Sequence, residues 1–244
     1  MAFETSLGGE GKEFPQTRWS AILSARTGSG PKRQEALEEL CRRYWKPVYA
    51  YVRSGRSVEN EAAKDLTQEF FVELVEGKLL ERYSPERGSF RKYLRGAVQL
   101  FLLESRRKAR ALRRGGGKEL FRLDEARDVS ALVSAKAVDP QEAFDRQWAN
   151  GLVDAAVEEV REELLQEGRK GWIEILDRHE LHPPPDGAPG HEALAKELRV
   201  SKWEINHCVV TCRRRMREKI REHIRDYVQF ENEVEEELAC LFPR

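Results

Sequence analysis

Residues Glu192–Glu218 read EALAKELRVSKWEINHCVVTCRRRMRE. A short helical segment, a three-residue break and a longer helical segment follow one another in it. In the longer one, Ile205, Val209, Cys212 and Met216 recur at i, i+4, i+7 and i+11, one face of an α-helix. The opposite face carries Asn206, His207, Val210, Thr211, Arg213 and Arg214. Two helices joined by a tight turn, with a buried stripe and a polar, cationic outer face, form the helix-turn-helix pattern, whose second helix enters a DNA major groove. Ser201 stands at the N-cap, where its hydroxyl satisfies a backbone amide beside a phosphate-facing helix end, and Lys202 adds charge there. Arg199 occupies the turn position where glycine is common. A side chain in the left-handed region there costs about 1 kcal/mol and does not forbid the turn.

Upstream of this stretch, HPPPDGAPG at 182–190 is too rich in proline and glycine for a helix. Gly171–Leu181 predicts a further helix. Before it, Phe144, Trp148, Leu152, Val153, Ala156 and Val160 trace the inner side of another, started by Asp139 as N-cap and Pro140 at the first helical position. Residues 115–139 show weak periodicity and mixed charge and read as a flexible linker.

The N-terminal half reads as a second group of helices. Residues 1–16 form an arm, and a short helix around Trp19 follows. Leu37, Leu40, Tyr44, Trp45 and Val48 mark a helix from about Lys32 to Arg53, with a kink expected at Pro47. A helix over Val58–Glu76, capped by Ser57, ends at Gly77. The polar loop ERYSPERGS at 81–89 precedes a long helix from Phe90 to about Arg113, packed through Phe90, Tyr93, Leu94, Ala97, Phe101 and Leu102. GGG at 115–117 terminates it. In the Val58–Glu76 helix Asp65, Gln68 and Glu69 share one face while Leu66, Phe70 and Leu74 turn inward. Strand-length alternation is missing throughout. The class expected is all-α: two small helical domains, 17–114 and 140–226, joined by the linker and followed by an acidic extension, 227–244.

The chain has 244 residues, 43 basic and 43 acidic, so its formal charge is zero. Segregation matters more than the sum. RRKARALRRGGGK at 106–118 carries seven positive charges and no acid, and Lys202–Arg225 is basic by more than two to one. Glu119–Glu167 and FENEVEEE at 230–237 are acidic. Two basic stripes suit two separate contacts with a phosphate backbone. Aromatics interleaved with arginines at the start of the helix from Phe90 suit unstacked single strands, although most of those rings are needed for the core. A linker of about 25 residues reaches ~80–90 Å when extended, and two sites two turns of DNA apart are ~70 Å distant. The four cysteines (Cys41, Cys208, Cys212, Cys240) lack disulfide spacing, and Cys208 and Cys212 read as small core residues rather than metal ligands. The sequence shows neither a secretory segment nor an apolar run of spanning length, which predicts a cytoplasmic chain without membrane insertion. Its histidines and acids form no nucleophile, dyad or metal constellation, so no enzyme, catalytic residue, metal or cofactor is expected.

DLTQEFF at 65–71 followed by FRKYL at 90–94, with RWSAIL at 18–23 and RRYWKPVYAYVR at 42–53 before them, resembles extracytoplasmic-function sigma factors, in particular the large planctomycete- and myxobacterium-type members. The resemblance covers about 17–114 and 140–222. It implies a region 2-like bundle and a region 4-like helix-turn-helix, and hence a factor that brings core RNA polymerase to promoter DNA. Asp65, Gln68 and Glu69 would dock on the clamp helices of the largest subunit, and the C-terminal domain on the flap of the second-largest. Arg87, Ser89, Arg91, Lys92, Arg106 and Arg107 would serve the −10 element. Ser201, Lys202, Asn206, His207, Val210, Thr211, Arg213 and Arg214 would serve the −35 element. An anti-sigma factor or other regulator is a further partner such factors can have. The acidic extension lies outside the family's minimal pattern and could mask the basic helix. The alternative is a stand-alone helix-turn-helix regulator that binds duplex DNA without polymerase.

Overall fold

The computed structural model describes residues 19–54, 58–84, 86, 88–115, 139–181 and 190–243. Every regular element among them is helical: α1 (Trp19–Thr27), α2 (Gly30–Ser54), α3 (Asn60–Val75), α4 (Lys78–Arg82), α5 (Phe90–Gly115), α6 (Pro140–Gln166), α7 (Lys170–Leu176), α8 (His191–Leu198), α9 (Lys202–Arg225) and α10 (Glu231–Leu241). None of them is long and apolar enough to cross a membrane. The N-terminal arm, Ser57, Arg87, most of the expected linker and most of the HPPPDGAPG loop lie outside the described residues.

The chain divides into two compact units, and the division differs from the one the sequence suggests. The described residues of the first unit are 19–149 and 225–243; those of the second are 150–224. Two stretches expected in or after the second domain therefore belong to the first. The physical reason is the first unit's aromatic core. Tyr44 of α2 stacks on Trp148 of α6 at 4.6 Å and meets Phe90 of α5 edge-on at 5.4 Å. Trp148 in turn packs edge-on against Tyr227, 5.3 Å away, and its indole N–H donates to the Tyr227 hydroxyl at 3.2 Å. The buried Arg43 guanidinium lies 4.9 Å over the Trp148 ring and 5.7 Å from that of Tyr227, a cation–π contact in place of water. Such rings bury large apolar areas, and a cut at 139 would strip Tyr44 and Arg43 of their covers.

α2 runs through Pro47 without interruption, buries Leu37, Leu40, Tyr44 and Val48, and packs on α1, α3 and α5. α3 turns Phe70 and Leu74 inward, as the spacing predicts. Gly77 adopts φ 93°, ends this stretch and begins α4, a helix in part of the span expected as loop. A Cβ at Gly77 would sit 3.2 Å from an Arg33 nitrogen that donates to the Val75 carbonyl at 3.0 Å. The positive φ favours glycine here, and any side chain would in addition press lightly on the flexible Arg33 tip. At the start of α6 the Gln141 amide donates to the Asp139 carboxylate at 3.3 Å, with Pro140 at the first helical position.

In the second unit, Val160 and Leu164 of α6, Trp172, Ile175 and Leu176 of α7, Leu194 and Ala195 of α8, and Ile205, Cys208, Val209 and Cys212 of α9 form one core. α7 continues into a π-helical turn, Asp177–Leu181, so the helix expected over 171–181 is present with its last turn widened.

Candidate nucleic-acid interface

α8 and α9 meet at a turn built on Arg199, the one non-glycine residue with positive φ among those described (φ 56°). The Val200 amide donates to the Ala195 carbonyl at 3.0 Å, closing the end of α8 as a left-handed cap does. Ser201 Oγ accepts the Glu204 amide at 3.1 Å and so caps α9. Leu194 and Ala195 on one side, and Ile205, Cys208, Val209 and Cys212 on the other, are buried and fix how far the two helices stand apart. Met216 packs against the same cluster at its margin.

The outward face of α9 carries Lys202, Asn206, His207, Val210, Arg213 and Arg214 exposed and Thr211 half-buried. Its cations differ in how free they are. Arg213 is held by Glu180 of the π-helical turn through two nitrogens, at 2.8 and 2.9 Å. Arg214 pairs with Glu218 one turn along at 3.1 Å, an exposed contact that water and salt weaken. Farther along, Arg215 is drawn to Glu163 of α6 and to Glu167 just after its end, and Lys219 to Glu159 and Glu163. These inner cations tie α9 to α6, leaving Lys202, Asn206, His207, Val210 and Arg214 as the accessible set.

Comparison with protein-family models, with curated proteins and with solved structures gives no match.

Around the start of α5 the residues expected at the −10 element fall into two kinds. Ser89 and Arg91 are buried, and both bind the carboxylate of Glu237 on α10. Ser89 Oγ donates at 2.9 Å and Arg91 Nε at 2.5 Å, while Arg91 Nη1 pairs with Asp145 of α6 and Nη2 reaches the Cys240 sulfur at 3.6 Å. Lys92 stays partly exposed, 3.4 Å from Glu237. Burial opposes the charge on Glu237, but the hydrogen bonds from Arg91 and Ser89 and the charges of Arg91 and Lys92 outweigh it and hold the carboxyl below its ordinary range. Ser89 and Arg91 therefore serve packing in this arrangement and present nothing to a ligand. Arg107 is exposed and Arg106 half-buried on α5. Glu237 itself was legible only as part of an acidic tail; its spacing from Val234 and Leu241, three and four residues away, was the available sign that it faces inward.

On α3, Asp65, Gln68 and Glu69 are all exposed, as their spacing predicts. Glu69, Val72 and Glu73 line one side of a shallow groove of about 280 Å³ whose other side is Phe101, Glu104, Ser105 and Lys108 of α5. Val72, 57% exposed, is an apolar side chain of that lining.

Proposed function

We propose that this chain is an alternative sigma factor of the extracytoplasmic-function type, which binds core RNA polymerase and directs promoter recognition, DNA melting and the start of transcription. The observation that carries the proposal is the outer face of α9, where polar and cationic side chains are exposed on a helix fixed by its turn and its buried stripe. Such a face suits a major groove, with Asn206 and Thr211 able to read base edges and Lys202 and Arg214 able to meet phosphates.

The acid-amide surface of α3 supports the second half of the reading. Asp65, Gln68 and Glu69 beside an apolar groove form a surface complementary to a basic protein partner, here the clamp helices of the largest polymerase subunit. The second unit would rest on the flap of the second-largest. Lys92, Arg106 and Arg107 would hold the backbone near the −10 element while a base is drawn from the stack, a step costing a few kcal/mol and offset by contacts to the freed strand. Ser89 and Arg91 would act by keeping the start of α5 in place.

The test is capture of core RNA polymerase by the wild-type chain and by an Asp65→Lys, Gln68→Ala, Glu69→Lys variant, together with promoter-dependent transcription by the reconstituted enzyme. Capture lost in the variant, with transcription from a defined start by the wild type, is the expected result. No capture by the wild type, beside tight binding to duplex DNA alone, would replace the proposal with a stand-alone regulator.

A further inference from the structure

Trp203, in the first turn of α9, is the most exposed of the large apolar side chains described, at 71%. It is also held in place. Its indole stacks on the His207 imidazole one turn along, with centroids 4.9 Å apart and planes 14° from parallel. His207 meets Trp172 edge-on at 5.4 Å, and Trp172 is buried in the core of the second unit. The Arg169 guanidinium lies 4.4 Å over the Trp172 ring. Three rings thus step from the core to the surface, and the outermost keeps one face open. Val210, 57% exposed, lies seven residues on from Trp203, two turns along the same side of the helix. Asn206 and His207 stand between them.

Two large apolar groups on the outer side of an otherwise polar and cationic helix need a partner that is anionic and locally apolar. The major groove of DNA is both, since its phosphates carry the charge and the thymine C5-methyl is the apolar group among its base edges. We propose that Trp203 and Val210 read thymine methyl groups, and that His207 is a positioning residue that holds the indole rather than a base contact. The inference rests on the reading of α9 as the recognition helix. Two helical turns advance about 10 Å, and on a helix lying in the groove residues about two turns apart meet bases roughly two to three steps apart. An indole already stacked on its support loses little freedom on binding, which is why an exposed tryptophan there is worth its exposure.

The test begins with selection of duplexes from a randomised pool by the full chain, alone and with core RNA polymerase. The selected duplex is then remade with deoxyuridine in place of thymine, one position at a time. Loss of one contacted methyl should weaken wild-type binding about fourfold, the worth of a single buried methyl-sized group. Trp203→Ala should bind the thymine and deoxyuridine forms alike at one position, and Val210→Ala at another two to four base pairs away. His207→Phe, which keeps a ring under the indole, should retain the discrimination that His207→Ala loses. A histidine reading a base would instead be lost equally in both variants. Equal affinity of the wild type for every deoxyuridine duplex, or full methyl discrimination by Trp203→Ala, overturns the inference and leaves the recognition helix standing. A wild type that selects no duplex in either form overturns both.

Discussion

Three side chains show what single positions contribute. Arg199 holds a left-handed conformation that a Cβ disfavours by about 1 kcal/mol or more. Arg199→Gly should therefore raise the stability of the second unit by up to about 1 kcal/mol, partly offset by the entropy of glycine in the unfolded chain, as read by urea unfolding. Glu237 carries the opposite sign. Removing one partner of a buried pair costs about 3–5 kcal/mol, so Glu237→Ala should lower the stability of the first unit by that order. The pH dependence follows from the same contact. The folded-state pKa of Glu237 lies below the ordinary 4.5, so its contribution is complete above that value and disappears as pH falls through the folded one. Stability should therefore fall on acidification in the wild type, and Glu237→Gln should flatten that limb of the profile; Asp145, whose carboxyl burial pushes above its ordinary range, works in the opposite direction. Glu180 restrains Arg213 in a two-nitrogen pair. Glu180→Ala should free that guanidinium for phosphate, tighten DNA binding and steepen its salt dependence by about one unit of slope.

At the scale of elements, α10 is the instructive case. It buries Val234, Glu237 and Leu241 in the first unit, and Glu233 closes its start by accepting the Gln229 and Phe230 amides at 2.8 and 2.9 Å. Removal of 231–244 should lower the melting temperature of the chain by several degrees or more, measured by circular dichroism, since it leaves Arg91 with Asp145 alone. If the tail served only as a solvated extension, the melting curve would not move. The helices themselves were largely legible: the stripes through Phe70 and Leu74, through Phe144, Trp148, Leu152 and Ala156, and through Ile205, Val209 and Cys212 are each buried as their spacing predicts. Periodicity reports which face of a helix turns inward, but it carries no information on which other helix covers it. For that reason Arg91 and Ser89, at the polar start of α5, read as exposed contacts, while their buried partner lay in a run of glutamates. Trp203 could have been noticed as an aromatic out of phase with the Ile205–Met216 stripe. Its support by His207 depends on a ring geometry that sequence does not encode.

On the scale of the whole molecule, charge is sorted by role. Basic residues of α9 that face α6 are paired with glutamates, while Lys202 and Arg214 remain accessible, and the stripe that begins at Arg106 supplies a second cationic segment. Replacing Arg106 and Arg107 with alanine should weaken DNA binding by a similar factor on every sequence and lower the salt slope by up to about two. Replacing Asn206 and Thr211 should instead weaken one promoter element selectively, which footprinting and competition with mutated duplexes would resolve.

The second unit is an insertion: 75 consecutive residues, 150–224, interrupt a first unit whose strongest buried ion pair joins positions 146 apart in the chain. On a ribosome adding about 5–20 residues per second, roughly 7–30 s pass between the making of Arg91 and the making of its counter-charge. Asp145 and Trp148 are made within that interval, but Tyr227 and Glu237 come only after the whole inserted unit, which can be finished from local contacts. Biosynthesis thus builds the helix-turn-helix before it can close the older half of the molecule. A product ended early by a nonsense codon near Glu231 would carry a folded recognition helix on a body that lacks the Glu237 counter-charge and unfolds more readily.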